Sequence, residues 1–92
     1  MAELAGFAFS EAALSALERI PKKFRPQIVR KAKRLIFDPH PSGSKKLEGA
    51  TDGDNSIYRI RSGDYRILYA VRPGPNVVIL DIGDRKDVYR NM

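Results

Sequence analysis

Residues 57–69, Ile-Tyr-Arg-Ile-Arg-Ser-Gly-Asp-Tyr-Arg-Ile-Leu-Tyr, constrain the fold more than any other stretch of the chain. Two runs rich in aromatic and β-branched residues flank Gly63-Asp64, a dipeptide suited to a two-residue hairpin turn. With that turn, Ser62 is predicted opposite Tyr65, Arg61 opposite Arg66, Ile60 opposite Ile67, Arg59 opposite Leu68 and Tyr58 opposite Tyr69. Side chains alternate along a strand, so this register sets Tyr58, Ile60, Tyr65, Ile67 and Tyr69 on one face, the expected core face. Arg59, Arg61 and Arg66 share the other face.

Clustering guanidiniums on one sheet face has a cost, because like charges directly opposite on neighbouring strands lose a sizeable fraction of about 1 kcal/mol per pair. Two arrangements offset it. Asp64, Asp81 or Asp84 neutralises the cluster, or an anionic ligand sits against it. Arginine presents a planar fork of donors matched to phosphate and carboxylate, which favours the second arrangement. The expectation is an open, phosphate-binding arginine face.

A chain of 92 residues makes one small domain with a single core. It has no cysteine, so disulfides and thiolate metal sites are excluded, and no clustered His or carboxylate set suggests a metal or cofactor. There is no apolar run long enough for a transmembrane helix and no secretion signal, so cytoplasm is the default compartment. Seventeen Lys and Arg against eleven Asp and Glu leave +6, which calls for an anionic partner: nucleic acid, an acidic protein or, least of all, a membrane.

The remaining elements follow in order. Gly6–Phe9 reads as a short strand, and Ser10 suits the N-cap of a helix from Glu11 to about Arg19 with Ala13, Leu14, Leu17 and Ile20 on its apolar stripe. Pro21 ends it. A second helix starts between Lys22 and Pro26, with Phe24, Ile28, Ala32, Leu35 and Ile36 inward and Lys22, Lys23, Arg25, Arg30, Lys31, Lys33 and Arg34 outward. Such a basic face is either simply solvated or laid against a nucleic-acid backbone. Asp38-Pro39-His40-Pro41 stops the helix, and His40 reads as a solvated loop histidine.

Pro39 to Asn55 is rich in turn residues, interrupted by Lys45-Lys46-Leu47-Glu48-Gly49; Leu47 is expected to plug one end of the core, with Lys45 and Lys46 near the sheet edge. Arg72–Asn76 forms a second turn, and Val77–Ile82 is apolar enough for a strand inside the sheet. The polar tail from Gly83 to Arg90 is expected to fold Arg85 and Tyr89 over the arginine face. The result is an α+β domain of order β-α-α-β-β-β, with two N-terminal helices packed on one face of a mainly antiparallel sheet.

Tyr58–Tyr69, the segment Gly83-Asp84-Arg85-Lys86-Asp87-Val88-Tyr89-Arg90 and the upstream Lys46-Leu47-Glu48-Gly49 together resemble the RelE/ParE toxin superfamily over nearly the whole chain. That resemblance implies the toxin of a type II toxin–antitoxin pair. RelE-like members cut messenger RNA in the ribosomal A site, without a metal, by attack of the ribose 2′-oxygen to leave a 2′,3′-cyclic phosphate. ParE-like members inhibit DNA gyrase and are the alternative. Carried over from RelE-like members, Arg59 assists the nucleophile and scissile phosphate, Arg66 steadies charge on that phosphate, Arg85 stands near the leaving group, and Tyr89 orients or activates the 2′-hydroxyl. Arg61, Lys45, Lys46, Lys31 and Arg34 are the expected RNA-binding residues. Ile57 stands where relatives carry a lysine, and Asp84 where many carry a histidine; Asp84 is read as an ion-pair partner of Arg85 or Arg61 rather than an acid or base. The implied partners are an acidic RelB-like antitoxin, messenger RNA on the ribosome and, through a hetero-oligomer with the antitoxin, operator DNA.

Overall fold

The computed structural model describes residues 6–74 and 76–84. Strand β1 (Phe7–Phe9) leads into helix α1 (Glu11–Arg19), and helix α2 (Arg25–Lys33) is bracketed by 3-10 turns at Lys22–Phe24 and Arg34–Ile36. Four strands follow: β2 (Lys45–Asp52), β3 (Asn55–Ser62), β4 (Tyr65–Arg72) and β5 (Asn76–Asp84). The sheet runs β1-β5-β4-β3-β2, antiparallel except for the parallel pairing of β1 with β5. This is the expected α+β layer with one strand more. Lys45–Asp52, read from its turn residues as loop, pairs with β3 as an edge strand. Its register breaks between Lys46 and Thr51, where Gly49 sits at φ +80, so turn chemistry here marks an irregular strand and not its absence.

The hairpin has the predicted register from Ser62↔Tyr65 to Tyr58↔Tyr69, and Gly63 takes φ +61 in its turn. Its core face carries Ile60, Ile67 and Tyr69, continued on β5 by Val77, Ile79 and Ile82. Helix α1 lies against β5, and α2 over β3 and β4. Ala13 and Ala16 from α1 and Ile20 at its C-cap join Ile28, Ala32 and Leu35 from the second helix and its closing turn in one core cluster. Leu14, expected on the inner stripe, is 49% exposed. Positions 13, 16/17 and 20 follow the helical period, and 14 falls on its flank. Leu47 is half-buried and stands outside the core cluster, so it does not plug the core as expected.

Ser10 fastens the layers together. Its Oγ accepts from the Ala13 N–H at 3.0 Å, capping α1, and donates to the Leu80 carbonyl at 2.9 Å, while its own N–H donates to the Ile79 carbonyl at 2.9 Å. Leu80 is the extra residue of a β-bulge, since Leu68 pairs with Asp81 but Tyr69 with Ile79. The bulge shifts the alternation by one, so that Val77, Ile79 and Ile82 all reach the core. No helix among the described residues is long and apolar enough to cross a membrane.

Candidate nucleic-acid interface

The site grows from the hairpin register. Arg61 faces Arg66 directly across the β3–β4 ladder, and Lys45 of β2 faces Arg59. Two like-charge pairs therefore sit side by side in one corner of the sheet, on the face away from the helices, each costing a fraction of about 1 kcal/mol. Burial differs sharply among them. Arg61 and Lys45 are exposed, whereas Arg59 is 9% and Arg66 only 4% exposed. The arginine face is thus not the open surface expected from the sequence: Arg59 and Arg66 are buried, and only Arg61 and Lys45 of the cluster reach solvent.

What reaches solvent opens onto a groove. Strand β2 begins opposite Arg59, which leaves the edge of β3 beyond it, through Ile60, Arg61 and Ser62, without a strand neighbour on that side among the described residues. Helix α2 and the 41–44 loop flank this free edge. One hollow there, of about 330 Å³, is lined by Lys31, Lys45, Arg59, Ile60, Arg61 and the 41–43 backbone region. A second, of about 510 Å³, takes in Lys31, Arg34, Leu35, Phe37, Asp38, Pro41, Ser42 and Ile60. A third, of about 250 Å³, lies between Gln27, Arg30, Lys31, Arg34 and the Arg61–Gly63 segment. Lys31 lines all of them, so they form one basic groove. Cations spaced along a cleft between low-dielectric walls concentrate positive potential there.

The structure therefore gathers Lys31, Arg34, Lys45, Arg59 and Arg61 in one place, adds Arg30, and sets Arg66 directly beside Arg61 in the ladder. Lys46 faces Tyr58 on the edge strand and lines none of these hollows. Arg85 and Tyr89 lie outside the described residues. Two other basic residues of this region, Arg25 and Lys23, make contacts within the fold. Arg25 donates from Nε to the Ile20 carbonyl at 2.8 Å and from Nη2 to the Glu18 carbonyl at 2.7 Å, tying the end of α1 to the start of α2. Lys23 lies 5.1 Å from the Phe24 ring centroid.

The loop that walls the groove is pinned from below. The Tyr69 hydroxyl donates to the Pro39 carbonyl at 2.7 Å, the Tyr58 and Tyr69 rings stack at 5.7 Å, and the His40 ring meets Tyr58 edge-on at 4.7 Å. His40 is exposed, as its place between prolines suggests, yet its ring is part of the clamp and not simply solvated. Phe37 is the residue that sequence reasoning missed: it follows Ile36, the last residue of the expected apolar stripe, and it is 88% exposed. No sequence signal marks it, because the switch comes from the chain turning away where the last 3-10 turn ends.

Comparison with known proteins is consistent with this architecture. Residues 7–89 match the family described as the ParE toxin of the type II toxin–antitoxin system parDE. No curated protein sequence matches the chain. Among solved structures, the archaeal RelE–RelB complex from Pyrococcus horikoshii is 30% identical with a TM-score of 0.70, over 86% of this chain and 92% of that one. The RelBE2 toxin–antitoxin complex from Mycobacterium tuberculosis is 27% identical with a TM-score of 0.72, over 86% and 88%. The E. coli RelBE toxin–antitoxin complex is 25% identical with a TM-score of 0.64, over 85% and 93%. With its hairpin register, its helix-covered sheet and a family match spanning nearly its full length, the chain belongs to the RelE/ParE superfamily of type II toxin–antitoxin toxins.

Proposed function

We propose that the protein is a ribosome-dependent messenger-RNA endonuclease that arrests translation until an acidic RelB-like antitoxin neutralises it. The observation that carries this reading is the gathering of Lys45, Arg59 and Arg61 on the groove lined by Lys31 and Arg34, with Arg66 directly opposite Arg61 in the ladder. Guanidinium and ammonium groups gathered beside an open groove present the donors that an RNA phosphate takes. The relatives solved as RelE toxins with RelB antitoxins support the antitoxin half of the proposal.

The chemistry needs no more than the RNA and these side chains. The ribose 2′-oxygen attacks the adjacent phosphorus, the bond from phosphorus to the 5′-oxygen breaks, and a 2′,3′-cyclic phosphate and a 5′-hydroxyl result. One proton leaves the 2′-hydroxyl and one arrives at the 5′-oxygen. Arg59 and Arg66 balance the charge that builds on the phosphate, and Tyr89 and Arg85 serve the two proton transfers. Free tyrosine titrates near 10 and arginine higher, so neither is a strong acid–base catalyst at neutral pH, although surrounding guanidiniums draw a tyrosine down. Such a site depends on alignment, worth several kcal/mol, and the ribosome supplies it. Cleavage of naked RNA is therefore slow, and equal rates on naked messenger and translating ribosomes would overturn the reading.

Arg66→Ala removes a charge-stabilising donor, which typically lowers the rate by about a hundredfold or more, and Arg61→Ala removes an RNA-binding cation of the groove. Arg61 is exposed, so its removal leaves the core intact, and thermal denaturation checks the buried Arg66. Both should lose messenger cleavage and toxicity. Gyrase inhibition is the second reading, favoured by the description of the matching family as ParE toxin. Growth arrest that survives both substitutions, with intact messenger and blocked supercoiling, selects it.

A further inference from the structure

Phe37 is held out in water at the rim of the 510 Å³ hollow, 88% exposed, although a side chain of its kind is ordinarily among the most buried. Its backbone is not loose. The N–H groups of Phe37 and Asp38 both donate to the Arg34 carbonyl at 3.1 Å, the Asp38 carboxylate accepts from the His40 N–H at 3.3 Å, and the Tyr69 hydroxyl holds Pro39. A fixed loop thus presents a flat ring beside two cations, Lys31 and Arg34.

We infer that Phe37 is a stacking platform for an unpaired RNA base, with Lys31 and Arg34 taking the phosphate beside it, one step along the groove from the arginine cluster. Three observations favour RNA over a protein segment. The apolar floor of the hollow is closed, Leu35 being 1% and Ile60 3% exposed, so an inserted peptide side chain finds little apolar surface apart from the Phe37 ring itself. An aromatic face with flanking cations is the usual way to hold a single-stranded base without a deep pocket. The hollow also shares Lys31, Pro41, Ser42 and Ile60 with the one containing Arg59 and Arg61, so phosphates at successive nucleotides meet successive cations. Asp38, on the same wall, is placed to accept from the amino group of a base. The inference rests on the RNA reading above and adds a base-binding subsite to it.

The chain contains no tryptophan, so Phe37→Trp introduces a single indole at the proposed platform. Titration with a single-stranded oligoribonucleotide carrying 2′-O-methyl groups, which block cleavage, should quench that indole. Anisotropy with the same oligonucleotide should show Phe37→Ala binding about tenfold more weakly, Phe37→Trp at least as tightly as the native protein, and Phe37→Leu as poorly as alanine, because leucine is apolar but not flat. Leu14→Ala, at the other exposed large apolar residue among the described residues, should bind like the native protein. No quenching, or full binding by the leucine or alanine variant, overturns the subsite. Loss of antitoxin binding in Phe37→Ala with RNA binding unchanged also overturns it and assigns the ring to a protein partner. The two readings separate cleanly. Ribosomal cleavage without quenching of the introduced indole rejects the subsite alone, and quenching without cleavage rejects the nuclease alone.

Discussion

Tyr69 shows how one side chain serves core and site together. Its ring is fully buried between the sheet and the helices, while its hydroxyl reaches out of the core to the Pro39 carbonyl. Burial holds that hydroxyl above the ordinary tyrosine value, against a weaker opposing hydrogen bond from Ser44. A raised folded-state pKa means that the folded protein keeps a proton the unfolded chain has lost, so stability falls as pH rises through and above about 10. Tyr69→Phe should lose about 1 kcal/mol at neutral pH, measured by urea denaturation, and should flatten the alkaline decline. Asp52 works in the opposite sense. Its carboxylate accepts from Arg72 Nε and Nη2 at 2.7 and 2.9 Å, which lowers its pKa. The pair's contribution is present above the ordinary carboxylate range and is lost as pH falls through it towards the lowered value. Urea midpoints across an acid pH series should show a shallower decline in Asp52→Asn.

Among the elements, the β5 bulge is where a simple period would mislead. Strict alternation from Val77 and Ile79 points Asp81 inward and Ile82 outward; the extra residue at Leu80 reverses both. Its cost is offset by the Ser10 hydroxyl on the Leu80 carbonyl and by the Asp81 carboxylate, which accepts from the Ile82 N–H at 2.8 Å. Ser10→Ala removes an N-cap and this tether in one step. It should lower stability by about 1–2 kcal/mol on chemical denaturation, more than a cap alone typically gives, whereas Ser10→Thr should recover most of it. The hairpin was legible because its turn residues and its alternation agree. Strand β2 was not, because Ser, Gly, Asp and Asn dominate its surroundings and an edge strand needs only one partner, β3, to form.

For the whole molecule, the net charge of +6 becomes functional only where the fold concentrates it. Contacts with single-stranded RNA give a salt dependence of about 0.7 in log K per phosphate neutralised. Lys31→Ala, at the residue common to the three hollows, should lower that slope by about this amount in an anisotropy salt series, whereas Lys22→Ala, outside them, should leave it unchanged. Local sequence determined the hairpin and its register, the two helices with their cap and breaks, and the separation of tyrosines from arginines, since these depend on turn chemistry and period alone. Tertiary structure decided which cations meet. It set Lys45 opposite Arg59, brought Lys31 and Arg34 to the free edge of β3, buried Arg66 and left Phe37 in solvent. Those outcomes depend on how layers pack across gaps of many residues, where the burial of a side chain is settled by what the rest of the chain places beside it.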